Sequence, residues 1–99
     1  MLELDKVDRA HFAEFLDQDF QIPTKSGAPL EVRLVEARSL GAGRAGSREP
    51  FALTFRADAS VRLPQRIYSL SNNRLGTMEI FLVQIGVDAT GAYFEAVFN

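Results

Sequence analysis

The chain contains no cysteine and no tryptophan, a single histidine, His11, and only two lysines among its 99 residues. Without cysteine there is no disulfide, no thiolate zinc or iron–sulfur site and no thiol nucleophile. A lone histidine, on a solvent-leaning helix position, leaves no multi-histidine metal centre and no histidine-dependent triad. No apolar run approaches the roughly 20 residues that span a bilayer as a helix, so no membrane association is expected. The acidic start, Met1 to Lys6, lacks both the basic segment and the long apolar run of a cleaved export signal. Together these absences predict a cytoplasmic protein that needs no cofactor.

What is present is apolar bulk. Hydrophobic residues make up 46% of the chain, with eight phenylalanines and two tyrosines, enough for one packed core and too little for two. A single domain over 1–99 follows. The net charge of −2 conceals an uneven distribution. Residues 1–20 carry six acids against Lys6 and Arg9, whereas residues 41–66 carry five arginines against Glu49 and Asp58. An acidic helix beside a basic loop accounts for this, and a dedicated nucleic-acid domain would be more basic, so no nucleic acid is expected as partner.

Helical spacing of Phe12, Phe15 and Leu16, with Asp5 or Asp8 as cap and acids in the first turns, predicts a helix over about 5–17. From Asp19 the period changes to two. Phe20 and Ile22 alternate until Pro23, and Leu30, Val32 and Leu34 alternate with Glu31 and Arg33 beyond the turn at 24–29. Three glycines in 41–47 predict a mobile loop. Phe51, Leu53 and Phe55 then share one strand face, opposite Thr54 and Arg56. A strand around Ile67 to Leu70 is followed by a tight turn at Asn72, Asn73, Arg74 and Gly76.

The closing hairpin can be read in register. With Asp88 to Gly91 as the loop, Ile85 faces Phe94, Val83 faces Ala96 and Phe81 faces Phe98, which makes one wholly apolar face. On the opposite face Leu82 meets Val97, Gln84 meets Glu95 and Gly86 lies beside Tyr93. Both faces are thus covered at the open end. The fold class that follows is mainly β: about six antiparallel strands in a small barrel or sandwich, with one N-terminal helix closing an opening.

No catalytic or metal-binding constellation emerges. In the register above Glu79 projects away from Glu95, so the two do not form an acid/base pair. The glycines of 41–46 mimic part of a dinucleotide fingerprint but lack the following helix. Arg48 and Glu49 stand immediately before Pro50 and Phe51 at a strand entrance, and Arg56 ends that strand. Arg48, Glu49 and Arg56 are candidates for partner contact, because arginine presents a fixed fork of donors. Tyr68 and Tyr93, with nearby arginine, are candidates for ligand contact at a barrel mouth.

Five stretches, Arg48 to Arg56, Leu63 to Tyr68, Leu75-Gly76, Met78 to Val83 and Tyr93 to Asn99, follow a phenylalanine-containing helix. Together they resemble a family of small bacterial single-domain proteins of unknown function. The resemblance covers most of the chain and implies no catalytic residues; its members look like companions of phage-tail-like proteins. The expectation is therefore a non-enzymatic structural or interaction module that binds another protein or itself, with a small-ligand-binding barrel as the alternative.

Overall fold

Asp8 opens the helix that the computed structural model places at the head of the chain, within the described residues 7–41 and 49–98. Its carboxylate accepts from the His11 backbone N–H at 2.9 Å, the standard way to satisfy an orphan donor at a helix start. Helix α1 (Arg9–Ala13) is far shorter than the 5–17 read from the apolar spacing. Residues 14–17 turn instead, with i to i−3 bonds from Glu14 and Phe15, and Asp17 adopts a left-handed φ of 66°. That conformation ends the helix and redirects the chain into the sheet. No acid lies in the helix's first turn, and Leu16 is exposed, not part of a buried stripe.

Six strands follow: β1 (Asp19–Ile22), β2 (Leu30–Ser39), β3 (Phe51–Ala57), β4 (Arg66–Asn72), β5 (Gly76–Asp88) and β6 (Gly91–Phe98). They close into an antiparallel barrel in the order β1-β2-β3-β6-β5-β4, which realises the barrel form of the expected class. Period-two alternation sends Phe20, Ile22, Val32, Leu34, Tyr68, Leu70, Met78, Ile80, Leu82, Phe94 and Ala96 inward, all buried. Strand β3 departs from simple alternation because Ala52 and Thr54 are buried along with Phe51, Leu53 and Phe55. Their outward sites are roofed by longer neighbours: Arg38 stands opposite Ala52, Glu95 opposite Thr54, and the Arg38 guanidinium reaches Glu95 at 3.0 Å across the strand.

Both ends of the barrel are stopped. At one end Phe12 from α1 sits 5.8 Å from Phe51 and 5.6 Å from Phe98, which are themselves stacked at 4.7 Å. At the other, the segment 58–65 crosses the opening. Gln84 pins it by accepting from Leu63 N–H and donating to the Val61 carbonyl. The Tyr68 hydroxyl adds a bond to the Pro64 carbonyl at 2.6 Å.

The closing hairpin corrects the register read from sequence. Near the turn the pairing is as expected, with Gly86 opposite Tyr93 and Asp88 opposite Gly91. A bulge between Gln84 and Gly86 then shifts the ladder by one, so that Gln84 meets Phe94 and Val83 meets Glu95. A one-residue slip exchanges the faces of a strand. Met78, Ile80 and Leu82 therefore enter the core, while Phe81 and Ile85, expected inside beside Phe94 and Phe98, face solvent. Glu79 correspondingly shares the outer face with Glu95, four strand positions from Glu95's partner Val83, too far along the strand to act as a pair.

Gly91 shows how tightly the hairpin end is built. A Cβ there would stand 2.6 Å from the Ala57 carbonyl oxygen and 2.7 Å from Cγ of Arg56, whose stem lies across the glycine. Gly91→Ala is expected to cost about 1–3 kcal/mol through this overlap, measured by urea unfolding. An unchanged midpoint would show that Arg56 moves aside freely.

The barrel's joint is uneven. All seven residues of β4 pair with β5, yet only Ser71 pairs with β1, opposite Gln21. Asn72 reinforces this joint: its side-chain N–H donates to the Asp19 carbonyl at 3.0 Å, while its Oδ1 accepts from Arg74 and Leu75 N–H. One side chain thus both fastens the barrel and caps the β4–β5 turn.

Candidate functional site

The five residues singled out from sequence do not converge. Arg48 lies outside the described residues, as does most of the glycine loop expected to be mobile. Glu49 is exposed and accepts a hydrogen bond from the Ser39 hydroxyl. Tyr68 points into the barrel, buried, with its hydroxyl taken by Pro64 and the Arg66 guanidinium 5.0 Å above its ring. Arg56 and Tyr93 do meet, as direct partners on β3 and β6, but on the outside of the barrel. The Tyr93 hydroxyl there is bonded to the Thr90 hydroxyl.

Two clefts flank this region. A concavity of about 250 Å³ includes Arg33, Arg56, Asp19, Glu31 and Asp58 in its lining. Arg33 and Arg56 stand opposite each other in the ladder, but Asp19 bonds the Arg33 guanidinium at 3.1 Å and pushes its pKa up from an already high value. Carboxylates outnumber the arginines here, so the cleft offers no net field to an anion. A second cleft, about 480 Å³ and open, runs along the outside of β1 to the β4–β5 turn, lined by Asp17, Asp19, Glu31, Arg74 and side-chain amides. Among the described residues no group of three or more histidines, cysteines or carboxylates is placed to hold a metal ion. Nor is any described helix long and apolar enough to cross a membrane.

Two turn carboxylates also have displaced pKa values. The Ser60 hydroxyl and N–H hold the Asp58 carboxyl below the usual carboxylate range, and the Thr90 hydroxyl and N–H do the same for Asp88, with a smaller contribution from Arg56. Hydrogen bonds to the charged form favour it. A depressed folded pKa means stability that is present above the unfolded carboxylate value and lost as pH falls through the folded one, below about pH 4. Asp58→Asn/Asp88→Asn, which keeps an acceptor but cannot titrate, is expected to lose less stability on acidification than the parent chain. Parallel acid-unfolding curves would refute this.

The largest chemical irregularity is apolar, and it was not among the candidate residues. On the outer face, Ile67 and Phe81 are direct cross-strand partners of β4 and β5, 64% and 51% exposed. Val97 on β6 and Ile85 at the bulge are 52% and 53% exposed, and Val83 between them is half-buried. The signal was present in the sequence as the unbroken run Ile80-Phe-Leu-Val83, apolar at both parities. Such a run does not say which set faces inward; the bulge decides it.

Compared with known families, residues 7–98 match the model of a domain of unknown function, DUF6916. No curated protein and no solved structure matches the chain.

Proposed function

Because this chain belongs to the DUF6916 family, a domain of unknown function spanning nearly its whole length, we propose from its surface that it is a non-enzymatic interaction module. The observation that carries the reading is the outer apolar strip of Ile67, Phe81, Val83 and Val97, continued by Ile85. Apolar residues scattered singly need no explanation, but here Ile67 and Phe81 are direct cross-strand neighbours and Phe81, Val83 and Ile85 occupy alternate positions of β5, and such a cluster is a feature of docking surfaces. At about 25 cal/mol per Å² of apolar area covered, such a strip supplies real driving force for association. The partner is another protein or a further copy of the chain. The setting drawn from the sequence resemblance is a phage-tail-like assembly, and the missing cysteines fit a reducing cytoplasm.

The alternative, a ligand at the barrel mouth, relies on Tyr68 and Tyr93. Both hydroxyls are engaged within the chain, and segment 58–65 covers the mouth nearest Tyr68, so nothing favours that reading.

The test is Ile67→Ser/Phe81→Ser. Both side chains are mostly exposed, so the unfolding free energy should move by no more than about 1 kcal/mol. Association, followed by light scattering over a range of concentrations and by co-purification from the native host, should be lost. A parent chain that is strictly monomeric and retains no partner, or a double variant that associates as well as the parent, would sink the proposal.

A further inference from the structure

We infer that the partner engages this barrel by strand addition, laying an extended segment along the edge of β4 from Arg66 to Leu70. The inference deepens the interaction reading above and rests on it. The β1–β4 ladder stops at Gln21 and Ser71, because two residues further along the chain, just past the end of β1, stands Pro23, which has no N–H to donate. Beyond it the chain leaves the barrel. Residues 23–29 are all exposed, and the Thr24 hydroxyl bonds the Ala28 carbonyl at 2.6 Å within the turn. Among the described residues, register therefore leaves the first half of β4 paired on the β5 side alone.

Natural sheets blunt such edges with proline, charge or a bulge. Between Arg66 and Asn72 this edge has none: the sequence is Ile67, Tyr68, Ser69, Leu70, Ser71, in regular register with β5. The outward apolar side chain on it is Ile67, the most exposed large hydrophobic residue among those described, directly opposite Phe81. An added strand would gain main-chain hydrogen bonds from the edge and an apolar contact from the strip, the two components of β-augmentation.

The length and charge of the edge limit what can enter. The stretch with a partner on β5 but none on β1 is Arg66 to Leu70, the length of one short extended segment. Arg66 begins this edge, with its guanidinium 5.0 Å above the Tyr68 ring. The complementary segment thus alternates apolar and small polar residues and carries a carboxylate at the end near Arg66.

The probe is a capped hexapeptide of alternating valine and threonine with one terminal glutamate, made in both orientations, added to the full chain while amide exchange is followed residue by residue. One orientation is expected to slow exchange at alternate amides of Arg66–Leu70. N-methylating alternate peptide amides in one phase should weaken binding about tenfold or more by deleting the ladder, and in the other phase should leave it nearly intact. Equal binding by both methylated forms, or no protection at Arg66–Leu70 with either orientation, overturns strand addition. Protection that grows with protein concentration in the absence of peptide also overturns it, in favour of self-pairing. Phe81→Ser separates the two claims: if it abolishes association while the peptide has no effect on β4, the strip reading stands and strand addition alone fails.

Discussion

A chain ending at Ala96 is expected to lose about 5 kcal/mol or more of folding free energy, a figure at or near the whole stability of a domain this size. Its missing residues include Phe98, which is buried and stacked on Phe51 at 4.7 Å with the Phe12 ring 5.6 Å away. Deleting a buried phenylalanine side chain alone typically costs about 3–5 kcal/mol. The truncation also removes the pairs of Phe98 with Phe51 and Val97 with Ala52, leaving the start of β3 with an unpaired edge beside an opened core. Circular dichroism should show a broad, weakened transition or none. If the shortened chain melts like the parent, the end of β6 does not stabilise the barrel in the way its burial implies.

Phe12→Ala should be the most damaging single substitution in the helix, costing about 3–5 kcal/mol. α1 has only five residues, too few to be stable by itself, so its position depends on what its side chains bury. Phe12 is fully buried against Phe51 and Phe98, whereas Phe15 packs near Phe20 and beneath the Arg74 guanidinium, 5.0 Å above its ring. Removing Phe12 leaves a cavity at the centre of the aromatic cluster and detaches the stopper from the barrel end. The expected signature is a lower urea midpoint together with faster amide exchange through residues 8–16. A midpoint shift with no change in helix exchange would show that Phe15 suffices to hold α1. Leu16→Ala serves as the control, since Leu16 is exposed and should change little.

Much of the architecture was legible without coordinates. The alternations in β1 and the start of β2, the turns at 24–29 and 72–76 and the Asp88–Gly91 hairpin all follow from local chemistry, because glycine, proline, asparagine and β-branched residues have strong short-range preferences. The resemblance to a family of unknown function also stands, with DUF6916 covering residues 7–98. The candidate site was much less legible. Arg56 and Tyr93 were chosen separately as contact candidates, and their pairing across β3 and β6 depends on a strand order that local sequence does not carry. Tyr68 could not be told from a surface tyrosine until its strand acquired a direction, and Asn72 looked like a turn residue although it also fastens β1 to β4.

Composition and periodicity by themselves determined that this chain forms a strand-rich domain without thiol chemistry or a histidine-built metal centre, since those properties depend on residue type and nearest neighbours. Only the tertiary structure decided which side of the closing hairpin is the inside. Ile80 to Val83 is apolar at every position, so both registers bury hydrophobic residues and local preference is nearly indifferent between them. The bulge at Gln84–Gly86 breaks that balance. With Gln84 turned to hold segment 58–65, Met78, Ile80 and Leu82 fill the barrel, and Phe81 is left outside beside Ile67.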